Sequence, residues 1–329
     1  MQGTSVTIQF TEADLAITNK IREIARELLR KGDVEVVIGF EQGTVPLQFT
    51  PCFIRNKDQV DRLVWDSFCG NNLAKYLVKR TEKAAVVAKG CDVRAIVQLI
   101  KEKQVTREQV VIIAIPYHGM VDRKRIEAEL NGMEVLSVEE KDDELVLKGK
   151  DAMKTFDKAQ YLCQCCEVGP RKNPVIWDYL IGDTVIDGVD SYADVIGFAE
   201  KPAEERWDYI TRQVSKCIRC YACRNACPMC YCEECFVDST SPQWIGKTTD
   251  LSDTLIFHLT RALHLAGRCV GCGACERACP KGVDIRTLNR KLVSDVNVLF
   301  KHEAGVDLKE PAPLSTFRPD DPEDFMLNP

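Results

Sequence analysis

One twelve-residue pattern occurs twice. "CIRCYACRNACP" places Cys217, Cys220, Cys223 and Cys227, and "CVGCGACERACP" places Cys269, Cys272, Cys275 and Cys279; both spell CxxCxxCxxxCP. This repeat restricts the fold more tightly than any other feature. Three thiolates at intervals of three wind a loop around one iron-sulfur cube, and the fourth, set off by an extra residue and a proline, reaches the neighbouring cube. The spacing therefore assigns one [4Fe-4S] cluster to Cys217, Cys220, Cys223 and Cys279, and a second to Cys269, Cys272, Cys275 and Cys227. Paired structural zinc sites are the alternative, but they use separated CxxC or CxxH knuckles and give the third cysteine of each copy no role. Ala222, Gly271, Gly273 and Ala274 are small enough to let backbone amides approach cluster sulfurs.

The chain has 17 cysteines, and all but Cys52, Cys69 and Cys91 follow residue 160. Such a concentration suits metal ligation better than disulfides if the chain resides in the reducing cytoplasm. A cytoplasmic location is the expectation. The longest apolar run, "VVIIAIP" at 110–116, is far short of the roughly 20 residues a membrane span needs, and the N-terminus lacks a signal-peptide layout. A net charge of -6 supplies no broad cationic field, so nucleic acid is not an expected partner. Two further knots remain, "CQCC" with Cys163, Cys165 and Cys166, and "CYCEEC" with Cys230, Cys232 and Cys235. Thiolates from one or both could hold a third centre, iron-sulfur or zinc; the alternative is that several are small buried hydrophobes. Cys52, Cys69 and Cys91, isolated in sequence, read as structural.

Ahead of the repeat, helices and strands alternate. Residues 14–30 space Leu15, Ile21, Ile24, Ala25 and Leu28 as a helix, with Thr11 as cap and Gly32 as stop. Strands follow at 34–40, 84–90 and 109–115, with helices at 92–103 and 123–131. Continuous apolar strands joined by helices predict an α/β domain with a mostly parallel sheet. The alternating stretch 133–149 predicts a β-hairpin annexed to that sheet. The expected organisation is an α/β domain over 1–200, an α+β or helical ferredoxin-like two-cluster domain over 201–300, and an extended proline-rich acidic tail over 301–329.

Between the two motif copies lies an insertion of about forty residues, expected to cover a cluster or face a partner, in which residues 251–267 carry an apolar helical stripe of Leu251, Leu255, Ile256, Leu259 and Leu263. His258 and His264 share this helix and read as packed or surface residues, because eight cysteines already complete two cubes. In the α/β domain, "AKGCD" and "PYHG" sit where strands open into helices, the position at which parallel sheets bind ligands. Lys89, Gly90, Cys91 and Asp92 would offer helix N-terminal donors to a phosphate or flavin, with Tyr117 and His118 adding stacking and hydrogen bonds. An ordinary helix-opening turn with Asp92 near the cap explains "KGCD" equally well.

The segments "WDSFCGNNLAKYL", "VVAKGCDVRAIVQLI" and "VVIIAIPYHGMVDRKRIE" resemble the N-terminal part of β subunits of deazaflavin-dependent hydrogenases and formate dehydrogenases. From about residue 30 to 290 the chain is similar to bacterial formate dehydrogenase β subunits of that superfamily, which accompany heterodisulfide-reductase-like complexes. The resemblance implies a flavin, FAD or FMN, in the α/β domain, exchanging electrons with the attached clusters, and redox subunits as partners. It departs from the family where Gly90-Cys91 replaces Pro-Cys and Tyr117 replaces a cysteine, and where the clusters follow the α/β domain. The expected role is an electron-transfer subunit of a multi-subunit oxidoreductase in an anaerobe. A flavin-free relay and docking scaffold, or a stand-alone reductase of a small organic substrate, are the alternatives.

Overall fold

A computed structural model describes residues 7–141, 143–169 and 171–313 of the 329. The end of the expected tail, from 314 onward, lies outside the described residues. The chain forms two compact units. The first runs to Val93 and resumes from Val105 to Gly188; the second takes Arg94–Gln104 and the chain from Val189 onward.

The first unit contains β1 (Thr7–Gln9), α1 (Glu12–Lys31), β2 (Val36–Gln42), β3 (Phe49–Ile54), β4 (Ala84–Lys89), the start of α2 (Gly90–Lys101), β5 (Val110–Ile115), α3 (Arg123–Leu130), β6 (Ser137–Lys141), β7 (Glu144–Lys148), β8 (Met153–Asp157), α4 (Gln164–Glu167) and β9 (Tyr179–Leu180). Helix α1 begins where Thr11 accepts a hydrogen bond from the Asp14 amide at 3.0 Å, a cap whose loss costs about 1 kcal/mol. It stops at Gly32, whose left-handed φ of 74° returns the amide to the last turn. Ile21, Ile24, Ala25 and Leu28 are buried, whereas Leu15 is exposed. Every residue of β4 is buried, which explains its unbroken apolar run.

The strands form two sheets rather than one, and their pairing is mixed rather than mostly parallel. One sheet has the order β3-β2-β4-β5-β9, with β2, β4, β5 and β9 parallel and β3 antiparallel to β2. The short 43–48 connection after β2 can only turn the chain back, because a parallel neighbour needs a long crossover. The other sheet has the order β1-β6-β7-β8, where only β1 and β6 run parallel. The expected hairpin exists as β6 and β7, but it belongs to this second sheet instead of extending the first.

The second unit is helical, and no strand forms among its described residues. It contains α2 from Arg94 onward, then α5 (Ala193–Ala199), α6 (Ala203–Val214), α7 (Ala222–Ala226), α8 (Leu251–His264), α9 (Ala274–Arg277) and α10 (Arg286–Phe300). Helices α6 and α10 pack on α8, α5 packs on α10, and α7 packs on α9. Arg290 ties the α5 region to α10 with paired bonds of 2.8–2.9 Å to Asp190 and Asp194. All of the repeated cysteine motif lies in this unit.

Candidate metal centre

The two motif copies adopt the same backbone. At the third and fifth places of the first copy, Arg219 and Tyr221 are left-handed, with φ of 55° and 59°; at the same places of the second, Gly271 and Gly273 have φ of 66° and 69°. This winding lets each loop curl before the short helix, α7 or α9, that carries the third cysteine. Glycine enters the conformation freely, but each side chain in the first copy costs roughly 1–2 kcal/mol. Arg219 puts its side chain to use: it is buried, lies 5.2 Å from the Phe257 ring centroid, and donates to Tyr221 Oη at 3.1 Å and the Gly246 carbonyl at 3.2 Å.

Thiols of the two copies influence one another electrostatically. Burial raises the Cys217 thiol, and the neighbours that add to this include Cys279 from the other copy as well as Cys220. Burial likewise pushes Cys275 to about 11, with Cys227 from the first copy and Cys269 contributing. Cys223 and Cys279 belong to one buried cluster with Phe257, Val283 and Ile285, against which Cys217 and Cys275 pack. Donors already point at sulfur: Arg219 N to Cys217 Sγ at 3.4 Å, Val283 N to Cys279 Sγ at 3.4 Å, and Asn289 Nδ2 to Cys275 Sγ at 3.7 Å. Amide-to-sulfur bonds of this kind stabilise thiolates and tune iron-sulfur potentials, so the residues present fit the clusters. Cys220 is exposed and Cys227 is buried.

The apolar stripe of helix α8 lies mostly at the surface. Leu251, Ile256, Leu259 and Leu263 of the apolar stripe are exposed and Leu255 is only partly buried, while Thr254, Phe257, His258, Arg261 and Ala262 are buried. Burial, aided by Arg261 and Arg219, pushes the His258 imidazole down to about 4, and its Nε2 has no partner among the described residues. His264 is exposed.

Glu102, just past α2, fixes two parts of the cysteine region. Arg268, the residue before Cys269, donates Nε and Nη2 to its two oxygens at 2.7 Å each. Tyr231, between Cys230 and Cys232, donates its hydroxyl to the same carboxylate, and Gln98 adds a bond of 2.7 Å. Burial opposes the Glu102 charge, but Arg268, Gln98 and Tyr231 outweigh it and hold the carboxyl below its ordinary value.

The remaining cysteines separate. Cys230 hydrogen-bonds with Cys227, the leading influence on the Cys227 thiol, and raises it together with burial. Cys232 is exposed, and Cys235 accepts from Arg224. Cys163, Cys165 and Cys166 are buried in the first unit around α4, whose turn closes with a 2.7 Å bond from Cys166 N to Cys163 O. Among the described residues no three His, Cys, Asp or Glu side chains converge on a single metal-ion position. A cube spreads its ligands wider than one ion does, so this bears on a mononuclear zinc centre rather than on the two clusters.

At "KGCD" the side chains engage one another. Lys89 Nζ pairs with Asp92 Oδ2 at 2.8 Å, donates to the Asn71 carbonyl at 2.9 Å, and lies 4.8 Å from the Phe40 ring centroid. Burial opposes its charge, yet Asp92 and Cys91 raise its pKa overall. Asp92 also accepts from the amides of Lys89 and Leu73 at 2.9 and 3.1 Å. A Cβ on Gly90 would collide with the Arg171 carbonyl and fall 2.6 Å from that of Asn173, so this glycine admits a neighbouring stretch of backbone. Tyr117 is buried with its hydroxyl 3.9 Å from Cys166 Sγ, and burial, then Cys91 and Cys166, raise its pKa. Only His118 of the six expected residues is exposed. The other five are buried. A cavity of about 410 Å³ lies elsewhere in the unit, lined by Thr44, Pro46, Leu47, Leu130, Met133 and Val135 among others.

Comparison with known proteins also points to iron-sulfur clusters in the cysteine-rich segment. Residues 213–283 match the family model of the 4Fe-4S dicluster domain. The F420-dependent formate dehydrogenase subunit beta of Methanocaldococcus jannaschii is 25% identical over 353 residues, covering 87% of this chain and 91% of that protein. The F420-dependent formate dehydrogenase 1 subunit beta of Methanococcus maripaludis is 25% identical over 311 residues, covering 75% and 80%. A chain from the xenon-derivatised F420-reducing [NiFe] hydrogenase complex of Methanosarcina barkeri superposes with a TM-score of 0.36 at 14% identity, covering 47% of this chain and 62% of that one. No helix among the described residues is long and apolar enough to cross a membrane. The chain therefore carries a C-terminal ferredoxin-like 4Fe-4S domain and is distantly related, at the level of family, to the beta subunits of F420-dependent formate dehydrogenases.

Proposed function

We propose that the chain is an electron-transfer subunit of a multi-subunit oxidoreductase of the formate dehydrogenase or hydrogenase type. Cys217, Cys220, Cys223 and Cys279 hold one [4Fe-4S] cluster, and Cys269, Cys272, Cys275 and Cys227 hold the other. What supports this reading is the CxxCxxCxxxCP spacing of both copies, together with the match of residues 213–283 to the 4Fe-4S dicluster domain. Clusters at these thiols supply one-electron storage. The protein's own residues do the rest: the amides of Arg219 and Val283 stabilise bound thiolates, and the burial of Cys223, Cys227 and Cys279 excludes water. Exposed Cys220 brings one corner of the first ligand set to the surface, where a partner's redox centre can exchange electrons with it.

No step is assigned to a flavin at "KGCD", where Lys89 and Asp92 pair with each other. Nor is a third metal centre needed for this role. Anaerobic native purification with iron, acid-labile sulfide and flavin analysis tests the proposal. About eight irons per chain, two distinct reduced-cluster signals and co-purifying redox subunits are expected. Zinc in place of iron, or turnover of a small organic substrate by the isolated chain, would overturn it.

A further inference from the structure

Asn289 brings a side-chain amide against a thiol of the second ligand set. Its Nδ2 donates to Cys275 Sγ at 3.7 Å, and the residue is only 5% exposed. Its Oδ1, also buried, has no partner among the described residues. An orphaned buried acceptor weakens a fold, and an apolar side chain of the same size would pack there without that cost. Among the described residues, the side chain's bond is to sulfur. A bound thiolate carries lone pairs and no proton, so only the nitrogen end of the amide can face it favourably.

The surroundings hold this contact in place. Asn289 lies in the first turns of α10, and Ile285, just before that helix, belongs to the buried cluster against which Cys275 packs. Arg286 reaches Asp194 at 2.6 Å and Glu276, the residue after Cys275, at 3.9 Å. Arg290 is tied to Asp190 and Asp194 at 2.8–2.9 Å. Charged anchors on both sides of Asn289 therefore fix its amide beside α9. At Cys217 and Cys279 of the first set, the donors are instead the backbone amides of Arg219 and Val283.

We propose that Asn289 is a positioning residue for the second cluster, its amide donating to Cys275 and raising the midpoint potential of that cluster and not of the other. This inference rests on the two-cluster reading above. An electron arriving from the neighbouring cluster or from a partner's redox centre adds one negative charge, shared by the ligand sulfurs, and takes up no atom. An N–H···S bond strengthens as the sulfur gains charge, so it favours the reduced form.

The test is a redox titration of the anaerobically purified full chain, followed by electron paramagnetic resonance, for wild type, Asn289→Leu and Asn289→Asp. Asn289→Leu should lower one midpoint potential and leave the other in place. The affected reduction equilibrium constant should fall about fivefold, which is about 40 mV at about 59 mV per tenfold for a one-electron couple. Asn289→Asp, which keeps the shape and loses the donor, should lower the same midpoint at least as far. Pulsed measurements on protein carrying isotopically labelled asparagine give a second readout, a nitrogen coupling to the reduced cluster. It should appear on the cluster whose midpoint moves and vanish in Asn289→Leu, which a packing role alone would not produce. Unchanged potentials in fully loaded variants, equal shifts of both midpoints, or wild-type clusters without a coupled asparagine nitrogen would overturn the proposal. If neither variant takes up iron, the wild-type coupling decides: its presence on one cluster supports the contact, and its absence removes it. Wild-type protein without two clusters would instead overturn the two-cluster reading itself.

Discussion

Arg268 grips both oxygens of Glu102 at 2.7 Å, linking the residue just before the second cysteine motif to one just past a helix more than 160 positions earlier. Arg268 is 25% exposed and Glu102 13%. Glu102→Ala should destabilise the second unit by about 2–3 kcal/mol, less than the ~3–5 kcal/mol for breaking a fully buried pair. The loss also has a defined pH course. The folded-state pKa of Glu102 lies below its ordinary value of 4.5, so its contribution is complete above that value and disappears as pH falls through the lower folded value. Chemical denaturation of wild type and Glu102→Gln at pH 7 and at the acid end measures this. A difference that grows toward acid would contradict the assignment.

Cys279 and Cys227 are where crossed ligation can be distinguished from local ligation. Cys279→Ala should remove the cluster built on Cys217, Cys220 and Cys223, and about half of the iron, while the cluster built on Cys269, Cys272 and Cys275 keeps its signal. Cys227→Ala should do the converse. Cys230, hydrogen-bonded with Cys227, is the adjacent thiol able to substitute, so Cys227→Ala should retain more residual iron than Cys227→Ala combined with Cys230→Ala. Loss of the nearer cluster in both single variants would show that each copy supplies its own fourth ligand.

Gly90 tests whether "KGCD" is built for a ligand or for the chain itself. Its missing Cβ would meet two backbone carbonyls, which cannot swing aside as a long side chain can. Gly90→Ala should cost about 1–3 kcal/mol through overpacking, seen as a lower denaturation midpoint whether or not any flavin is added. Unchanged stability, with loss only of flavin retention, would return the site to the ligand-binding reading.

Those three cases also show where sequence patterns reached their limit. The CxxCxxCxxxCP repeat identified the cysteine centre, because thiol spacing is set by cluster geometry; Thr11 and Gly32 likewise marked the ends of α1, because caps are local chemistry. Periodicity correctly gathered Ile256, Leu259 and Leu263 on one face of α8 but not the direction that face points. That depends on which side chains fill the interior, here Cys223 and Cys279 together with Phe257, Val283 and Ile285. Strand pairing was equally hidden: β6 and β7 formed as expected, yet β1 and β8 recruited them into a separate sheet. The strained Arg219 and Tyr221 could have been suspected by aligning the two copies, where Gly271 and Gly273 occupy the corresponding places.

Asp66 and Glu140 form a buried acidic pair in the first unit, independent of the cysteine centre. Asp66 is 1% exposed, and its Oδ1 accepts from the Phe68 amide at 2.7 Å. Glu140 accepts from Ser67 at 2.9 Å and pairs with Lys158 at 3.1 Å. Burial, then the charge of Glu140, raises the Asp66 pKa well above its ordinary 3.8. The native state thus holds a proton that the unfolded chain releases, so this stabilising contribution is complete below the unfolded pKa and is lost as pH rises through the raised folded value. Asp66→Asn keeps an oxygen for the Phe68 amide and removes the charge. It should raise the thermal midpoint by about 2–4 °C at pH 8, with the gain shrinking as pH falls toward 4. Differential scanning calorimetry at both pH values checks this, and an equal gain at each, or a fall at pH 8, would mean that Asp66 is charged in the native state and held by partners that the amide cannot replace.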